Sequence, residues 1–286
     1  MRVLFEEVAP DYDRSGTEFF APVGERLVSL TDVGPGDAVL DVGSGRGAAL
    51  FPAARAAGLR GSVTGIDLSE SMVASLRQDA RDSGLGRIDA AVMDAQAPRF
   101  PPESFDVLTG SMSVHLFPDV AAAFRSYFRL LRPGGRLGLS APVSVDHPRP
   151  EVFGLRSIAR MVSAYGSGSG AYPYSEAFGG AEQARSDLLA AGFTSVNVVE
   201  EPAFISSGST DQLLRWTRTH GMRLLWEQVP AAEHRRVQQE IATEARSRSE
   251  HPDRVVLRVP VMYIIARRPG TRPLRLDRHD GDGRAP

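Results

Sequence analysis

A glycine-rich stretch contains the residue types and spacing that most plainly suggest chemistry. An apolar run ends in Asp41, and glycines follow at alternate positions, Gly43, Gly45 and Gly47. A strand that runs into a glycine loop and then a helix places backbone N–H groups and the positive helix end beside a crevice. With Ala48, the stretch also satisfies G-x-G-x-x-A, the dinucleotide fingerprint, although that motif alone is a weak signal.

The position of Asp41 argues against a dinucleotide. Its carboxylate lies two residues before the first glycine, where it would face a pyrophosphate. Like charges in such a site are costly. A ligand that carries a cationic group is therefore the better expectation.

The candidate bases are few. The sequence has six histidines and no cysteine, and every basic side chain other than histidine is arginine. Thiolate nucleophiles and Schiff-base lysines are thereby excluded. His115 is the best-placed general base, with a pocket-wall role as its alternative. Weaker candidates are His147, Asp146 and Glu176, whose ordinary interpretation is a solvated loop residue, and His220, interpreted as a packing residue.

Aromatic side chains concentrate in two segments outside the predicted strands. They fit an apolar or ring-containing acceptor, although a small core of their own would explain them equally well. They are Tyr165, Tyr172, Tyr174, Phe178, Trp216 and Trp226. Three arginines in the first segment could bind an acidic acceptor, but scattered arginines are usually surface charge; they are Arg149, Arg156 and Arg160.

The elements that must position these residues follow a regular pattern. Short apolar runs alternate with segments of helical period, which indicates a parallel sheet covered by helices. We predict strands at 38–43, 62–67, 88–94, 105–111, 136–142, 195–201 and 259–268. The first intervening helix spans about 47–57 and ends at Gly58, and Ser69 caps the second. A third runs from Asp119 to Leu131 and is closed by an RPGG turn.

The chain divides into a cap, a main domain and a tail. Residues 1–34 are predicted as an N-terminal helical cap and 35–268 as the main domain. Insertions at 143–180 and 203–258 are predicted to form a lid. Residues 269–286 have few apolar side chains and are predicted to be disordered.

Asp-Val-Gly-Ser-Gly-Arg-Gly resembles the first motif of class I S-adenosylmethionine-dependent methyltransferases, in which an acidic residue precedes G-x-G-x-G. VTGIDLSESM, VMDAQAP, FDVLTGSMSVHLFPD and LRPGG match later elements in order, over roughly residues 1–142. The layout is most similar to the menaquinone and ubiquinone C-methyltransferase type and its natural-product relatives. The resemblance implies an α/β, Rossmann-like, seven-stranded and mostly parallel sheet of order 3-2-1-4-5-7-6 with helical lid insertions.

The same resemblance implies S-adenosylmethionine as the cofactor. Its contacts would be Tyr12, Asp41, Gly43, Ser44, Gly45, Gly47, Asp67, Leu68, Met72, Asp94, Ala95 and Ser111. In the family, the acidic residue before the glycines reaches the ammonium group, usually through water, and the one that ends the second strand accepts both ribose hydroxyls. Leu68 and Met72 would flank the adenine, Asp94 would accept from its amino group, and Tyr12 would close over the cofactor.

Several motifs that are missing from the sequence narrow the class of molecule that could accept the methyl group. The Pro-Pro-aromatic motif of amino-methylating nucleic-acid enzymes is missing after the fourth strand, and so are the aspartates that the metal-dependent catechol group needs there. A net charge of −2 offers no attraction for nucleic acid. Glu6 and Glu7 interrupt any secretory signal, and no apolar run is long enough to span a membrane.

The sequence and its resemblance therefore predict a cytoplasmic, metal-independent methyltransferase for a small, apolar or ring-containing metabolite of specialised biosynthesis. Carbon is slightly preferred over oxygen or nitrogen as the methyl acceptor, and a homo-oligomer is possible. Two other enzyme classes remain as alternatives. One is a cyclase or rearrangement enzyme that only binds S-adenosylmethionine, and the other is an NAD(P)-dependent oxidoreductase. A non-enzymatic binding module is the weakest alternative.

Overall fold

One mixed sheet forms the centre of the structure. The computed structural model describes residues 2–85, 88–143, 151–166 and 178–270. Within them, the strands are β1 (Ala38–Val42), β2 (Ser62–Asp67), β3 (Ile88–Val92), β4 (Phe105–Ser111), β5 (Leu131–Pro142), β6 (Thr194–Ser207) and β7 (Val255–Arg267). Their order is β3-β2-β1-β4-β5-β7-β6, with β7 antiparallel to both neighbours and the other pairs parallel. The predicted fold class and strand order are confirmed.

Helices cover both faces of this sheet. They are α1 (Arg2–Val8), α2 (Phe20–Thr31), α3 (Leu50–Ala57), α4 (Glu70–Ser83), α5 (Val120–Leu130), α6 (Arg156–Tyr165), α7 (Gly180–Ala190), α8 (Thr210–Trp216), α9 (Arg223–Gln228) and α10 (His234–Arg248). The apolar side chains of β1 point to two separate cores, because successive residues of a strand face opposite sides. Val39 belongs to the core with α2 and α3, and Leu40 belongs to the core with α5 and α7.

The predicted caps are present, but α3 begins later than expected. The Ser69 hydroxyl accepts from the Met72 N–H at 3.1 Å, as an N-cap should. The helix predicted from about residue 47 starts at Leu50, because Gly45 and Gly47 both have positive φ angles, 49° and 92°. That left-handed backbone keeps the glycine loop out of the helix.

The last three strands are longer than their sequence patterns predict. β5 begins at Leu131, so the RPGG segment lies inside it, with a register shift opposite Phe105 and Val107. β6 and β7 pair from Thr194 and Arg267 to Ser207 and Val255. The insertion expected at 203–258 therefore begins and ends within strands, and its helices α8 to α10 lie beyond the end of this long hairpin.

The N-terminal segment is held against both the hairpin and the glycine loop. Glu18 and Ser206 exchange backbone hydrogen bonds of 2.9 and 3.0 Å. In α2, a Cβ added at Gly24 would lie 2.2 Å from the carbonyl oxygen of Ala48. This helix therefore packs directly on the backbone that follows the glycines. No helix in the described ranges is long and apolar enough to cross a membrane.

Candidate functional site

A cavity of about 240 Å³ lies at the carboxyl ends of β1, β2 and β4. Parallel strands that reverse order around β1 create a crevice at this edge, where α/β folds bind ligands. The structure brings most of the predicted cofactor residues to it: Tyr12, Gly43, Ser44, Gly45, Asp67, Leu68, Met72, Asp94, Ala95 and Ser111. Asp41 and Gly47 are not part of its lining.

The glycine loop can approach a ligand because its backbone is packed tightly from behind. Gly43 has a φ of 66°, and a Cβ there would lie 2.6 Å from the Ser113 Cβ. The Ser113 hydroxyl donates to the Val42 carbonyl at 2.9 Å and ties β4 to the loop. Ser44 is buried and its Oγ has no hydrogen-bond partner in the described ranges. A buried hydroxyl without a partner is costly, so this arrangement favours a site that a ligand or a water molecule completes.

Gly47 has a structural role in the described structure. A Cβ at this position would lie 2.6 Å from the Phe51 ring and 2.9 Å from the Leu76 side chain. The residue faces the contact between α3 and α4 and not the cavity. A glycine is required here because a side chain would clash with these helices. The predicted contact of Gly47 with the ligand is not formed by the structure.

Asp41 is a buried carboxyl directly below the glycine loop. Its side chain is 1% exposed and accepts from the Thr109 hydroxyl at 2.8 Å. Burial raises the pKa of Asp41 to about 7, and the nearby Asp67 carboxylate adds to the shift. A positively charged group near the loop would reverse this shift, so the site favours a cation.

Asp67 links the end of β2 to the loop and to α4. Its Oδ2 accepts from the Gly45 N–H at 2.9 Å, and its Oδ1 accepts from the Ser69 N–H at 3.0 Å. Burial raises the pKa of Asp67. Each oxygen keeps a lone pair for a further donor such as a hydroxyl.

The far end of the cavity is apolar on one side and polar on the other. Met72 is buried, whereas Leu68 is 45% exposed and available for contact. Asp94 accepts from the Gln96 N–H at 2.8 Å. The Tyr127 hydroxyl donates to the Ala95 carbonyl at 2.9 Å and holds this turn in place.

The N-terminal segment covers the cavity, through contacts that the sequence did not reveal. Tyr12 stacks on Phe20 with ring centroids 5.2 Å apart, and burial raises the pKa of its hydroxyl. Glu6 accepts from the Glu70 and Ser71 N–H groups at 2.7 and 2.9 Å, at the N-terminus of α4. Arg46 is the third link. It donates from the glycine loop to the Ala9 carbonyl at 3.0 Å.

Asp13 also lines the cavity and was not predicted. Burial raises the pKa of Asp13 to about 6, although the Arg46 guanidinium opposes the shift. A positive φ of 55° turns its side chain inward. No signal in the sequence distinguished it from its neighbour Asp11, because only the fold of the segment sets this orientation.

A second, smaller cavity adjoins the first. Its volume is about 50 Å³, and its lining is almost wholly apolar and aromatic apart from two histidines. It is formed by Phe5, Tyr12, Phe20, Met112, His115, Leu116, Phe153, His220, Gly221 and Met222. Tyr12 and Met112 line both cavities. Two ligands bound in them would meet at these side chains.

The structure brings His115 and His220 to the same cavity. His115 lies on a single turn of 3-10 helix, Val114–Leu116, directly after β4, and is 6% exposed. His220 lies between α8 and α9 and is 4% exposed. It does pack, as predicted, with Trp216, Phe20 and Phe153, but it also lines the cavity.

Other predicted acceptor residues are placed elsewhere or lie outside the described ranges. Trp216 is fully buried in the core, and Arg156 and Arg160 pair with Glu151 and Glu240. Outside the described ranges are Asp146, His147, Arg149, Tyr172, Tyr174 and Glu176. Within the described part of the chain, no group of three or more potential metal ligands is assembled, and metal independence stays a prediction.

Comparisons with known proteins show which family the chain resembles. A family model described as a methyltransferase domain matches residues 39–135. Nocamycin O-methyltransferase of Saccharothrix syringae is 37% identical over 278 residues, which is 93% of this chain and 97% of the relative. Aklanonic acid methyltransferase DauC of Streptomyces sp. (strain C5) is 45% identical over 139 residues, which is 49% of this chain and 63% of the relative.

The fold is also that of solved proteins with more distant sequences. The crystal structure of the 4+2 cyclase SpnF matches with a TM-score of 0.52 and 23% identity, over 88% of this chain and 81% of that one. A likeness at this identity shows the fold alone. The relative that matches over nearly its whole length shows the family, and the chain therefore belongs to the S-adenosylmethionine-dependent methyltransferases.

Proposed function

We propose that this enzyme transfers the methyl group of S-adenosylmethionine to an oxygen atom of a small, largely apolar, ring-containing metabolite in specialised biosynthesis, without a metal ion. The observation that carries the proposal is the pair of adjoining cavities. One is lined by the glycine loop, with the buried acid Asp41 directly below that loop, and suits a cation with an adenosine; the other is largely apolar. Tyr12 and Met112 lie where the two meet.

The residues present in the larger cavity fit the cofactor. Asp41 supplies a buried carboxyl that a nearby ammonium would ionise, and the orphaned Ser44 hydroxyl supplies a hydrogen bond. Asp67 would accept from the ribose, with Leu68 and Met72 against the adenine. When bound, S-adenosylmethionine supplies a methyl group that is already activated by its positive sulfur.

The protein's own contribution is orientation and exclusion of water. The cap formed by Tyr12 and Phe5 covers the junction of the cavities. We assign His115 as the base that takes the proton from an acceptor hydroxyl, because it lies at the smaller cavity directly after β4. An acceptor that is already ionised would need no base.

The choice of oxygen rests on the relatives. The sequence resemblance to quinone-type enzymes slightly favoured carbon. The relative that matches over nearly the whole chain is named as an O-methyltransferase, and this supports oxygen instead. We also propose that the acceptor is a natural product, that the enzyme acts in the cytoplasm and that it forms a homo-oligomer. The net charge of −2 supports a small molecule over nucleic acid.

Cyclisation is the second candidate, since SpnF has the same fold. The deciding experiment incubates the purified enzyme with methyl-labelled S-adenosylmethionine and aklanonic acid, the compound in the name of one relative, alongside a panel of phenolic and carboxylic ring compounds. We expect S-adenosylhomocysteine and a labelled methyl ether or ester. A labelled C-methyl product would refute the oxygen assignment, and a rearranged product without S-adenosylhomocysteine would favour cyclisation.

His115→Ala tests the base. We expect cofactor binding to be unchanged and turnover of a hydroxyl acceptor to fall by about 10²–10⁴-fold, the usual effect of a general base. Isothermal titration with S-adenosylhomocysteine and steady-state rates measure the two quantities. Normal turnover of His115→Ala at neutral pH would show that the residue is only part of the wall.

A further inference from the structure

The second histidine of the smaller cavity has an unusual environment. His220 is 4% exposed, and its imidazole packs against Trp216, Phe153 and Phe20, with ring centroids 4.4, 5.3 and 5.8 Å away. Burial in these apolar surroundings lowers the pKa of His220 to about 3. The ring is therefore neutral at physiological pH and carries one proton on one of its two nitrogens.

The backbone determines which nitrogen carries that proton. The Met222 N–H donates to Nδ1 of His220 over 3.5 Å, so Nδ1 acts as the acceptor. In a neutral imidazole the proton must then lie on Nε2. Nε2 is the distal nitrogen of the ring, and in the described ranges it has no hydrogen-bond partner.

A buried N–H without an acceptor is costly, so such groups in native proteins usually meet a ligand or a water molecule. The cavity that His220 lines is the one we assign to the methyl acceptor. The other side chains that line it, His115 apart, offer Nε2 no strong acceptor oxygen save the hydroxyl of Tyr12. A methyl acceptor bound in this cavity would supply the acceptor atom that these side chains largely lack.

We propose that Nε2–H of His220 donates a hydrogen bond to a carbonyl-type oxygen of the methyl acceptor and so positions it beside the cofactor. The inference rests on the proposed function and adds a substrate class to it: a ring compound with an sp² oxygen. His220 is a positioning residue in this scheme and not the base. A neutral donor suits a carbonyl oxygen, and the aromatic wall suits the ring that bears it.

The test uses two phenols that differ in this oxygen alone, 7-hydroxy-1-tetralone and 5,6,7,8-tetrahydro-2-naphthol. Their dissociation constants are measured on the whole enzyme saturated with S-adenosylhomocysteine. We expect the wild type to bind the ketone more tightly. His220→Phe should weaken binding of the ketone by about tenfold, the value of one hydrogen bond, and leave the affinity for the carbonyl-free phenol within twofold. His220→Gln, which restores an N–H donor, should recover part of the loss.

Thermal stability separates positioning from packing. His234→Phe is the matched control, because Nε2 of His234 contacts the Val229 carbonyl at 2.9 Å. We expect its melting temperature to fall. His220→Phe should lower the melting temperature less than His234→Phe does, since the donor it removes has no partner in the free enzyme and the acceptor it removes bonds the Met222 N–H only at 3.5 Å.

Several outcomes would overturn the inference. Equal affinity of the wild type for the two probes would show that no carbonyl contact exists. If His220→Phe lost affinity for both probes equally and its melting temperature fell as far as that of His234→Phe, His220 would have a packing role only. Failure of the wild type to bind S-adenosylhomocysteine would instead refute the proposed function, and the same probe comparison on the free protein would still decide the His220 contact.

Discussion

At the scale of single residues, the unusual feature is a cluster of one buried and two half-buried acids around the glycine loop. Asp41, Asp67 and Asp13 all have raised pKa values, and desolvation is the largest cause for each. Carboxyl groups are rarely clustered away from water, because their charged form loses its hydration there. The cluster is consistent with a site that is completed by a positively charged ligand.

Asp41→Asn should remove a pH dependence of cofactor binding. Because the pKa of Asp41 is about 7 in the free enzyme, its carboxylate is lost as the pH falls through that value. We expect the affinity of the wild type for S-adenosylhomocysteine to decrease from pH 8 to pH 6. The variant should bind S-adenosylhomocysteine weakly, and its affinity should change less with pH. Isothermal titration measures both. Asp13 titrates nearby, so the difference between the two proteins is the relevant quantity. Identical slopes would contradict the assignment.

The same substitution makes a prediction about the stability of the free enzyme. The pKa of Asp41 in the folded state is higher than its ordinary value, 3.8. Its contribution to stability is then fully present below about pH 4 and is lost as the pH rises through about 7. We expect Asp41→Asn to unfold at a higher urea concentration than the wild type at pH 8 and not at pH 5. A variant that is less stable at both pH values would contradict this.

Asp67→Ala should weaken cofactor binding by about 1–3 kcal/mol, the cost of an unpaired donor in a ligand. It also removes the hydrogen bonds to Gly45 and Ser69, so a small loss of stability is expected. Calorimetry with S-adenosylhomocysteine measures the first effect and urea unfolding the second. An unchanged dissociation constant would exclude Asp67 from the ribose contact.

At the scale of elements, the glycine loop and the N-terminal segment are joined by one side chain. Arg46 donates to the carbonyls of Ala9 and Pro10 at 3.0 and 3.2 Å and to Asp79 of α4 at 2.6 Å. The guanidinium is 9% exposed, so these bonds are only weakly screened. Arg46 therefore holds the segment that covers the larger cavity.

Arg46→Ala should loosen this cover. We expect faster hydrogen exchange in residues 2–17 and a dissociation rate for S-adenosylhomocysteine that rises by about tenfold, on the scale of a lost charged hydrogen bond. Arg55→Ala is the control, because Arg55 forms an exposed ion pair with Glu25 on the outer surface of α3. Such pairs contribute little. Equal exchange rates in the two variants would refute the role of Arg46.

At the scale of the whole molecule, the site is assembled from parts that are distant in sequence. The reversal of strand order between the neighbouring strands β1 and β4 opens the crevice, and the long β6–β7 hairpin carries α8 and α9 to the N-terminal segment. His220 of the insertion and Tyr12 of the cap thus line one cavity. In the proposed function, cofactor and acceptor would be enclosed together because these segments meet.

This assembly predicts which ligand stabilises the folded enzyme. At 100 times its dissociation constant, S-adenosylhomocysteine should add about 2.7 kcal/mol to the stability. The corresponding rise in melting temperature is measured by differential scanning fluorimetry. NADPH should give no rise, because its pyrophosphate would face the acid cluster. A rise with NADPH alone would favour the oxidoreductase alternative.

The sequence alone determined the strands and the glycine loop with its two acids, because these depend on local periodicity and on short, fixed spacings. The order of the strands followed from the resemblance to a known family. The roles of Gly47, Arg46 and His220 were decided by tertiary structure. Gly47 faces a helix contact, Arg46 reaches a segment 36 residues away, and His220 loses its charge among rings from three other elements. Burial and long-range contacts set these properties, and neither is encoded in the spacing of neighbouring residues.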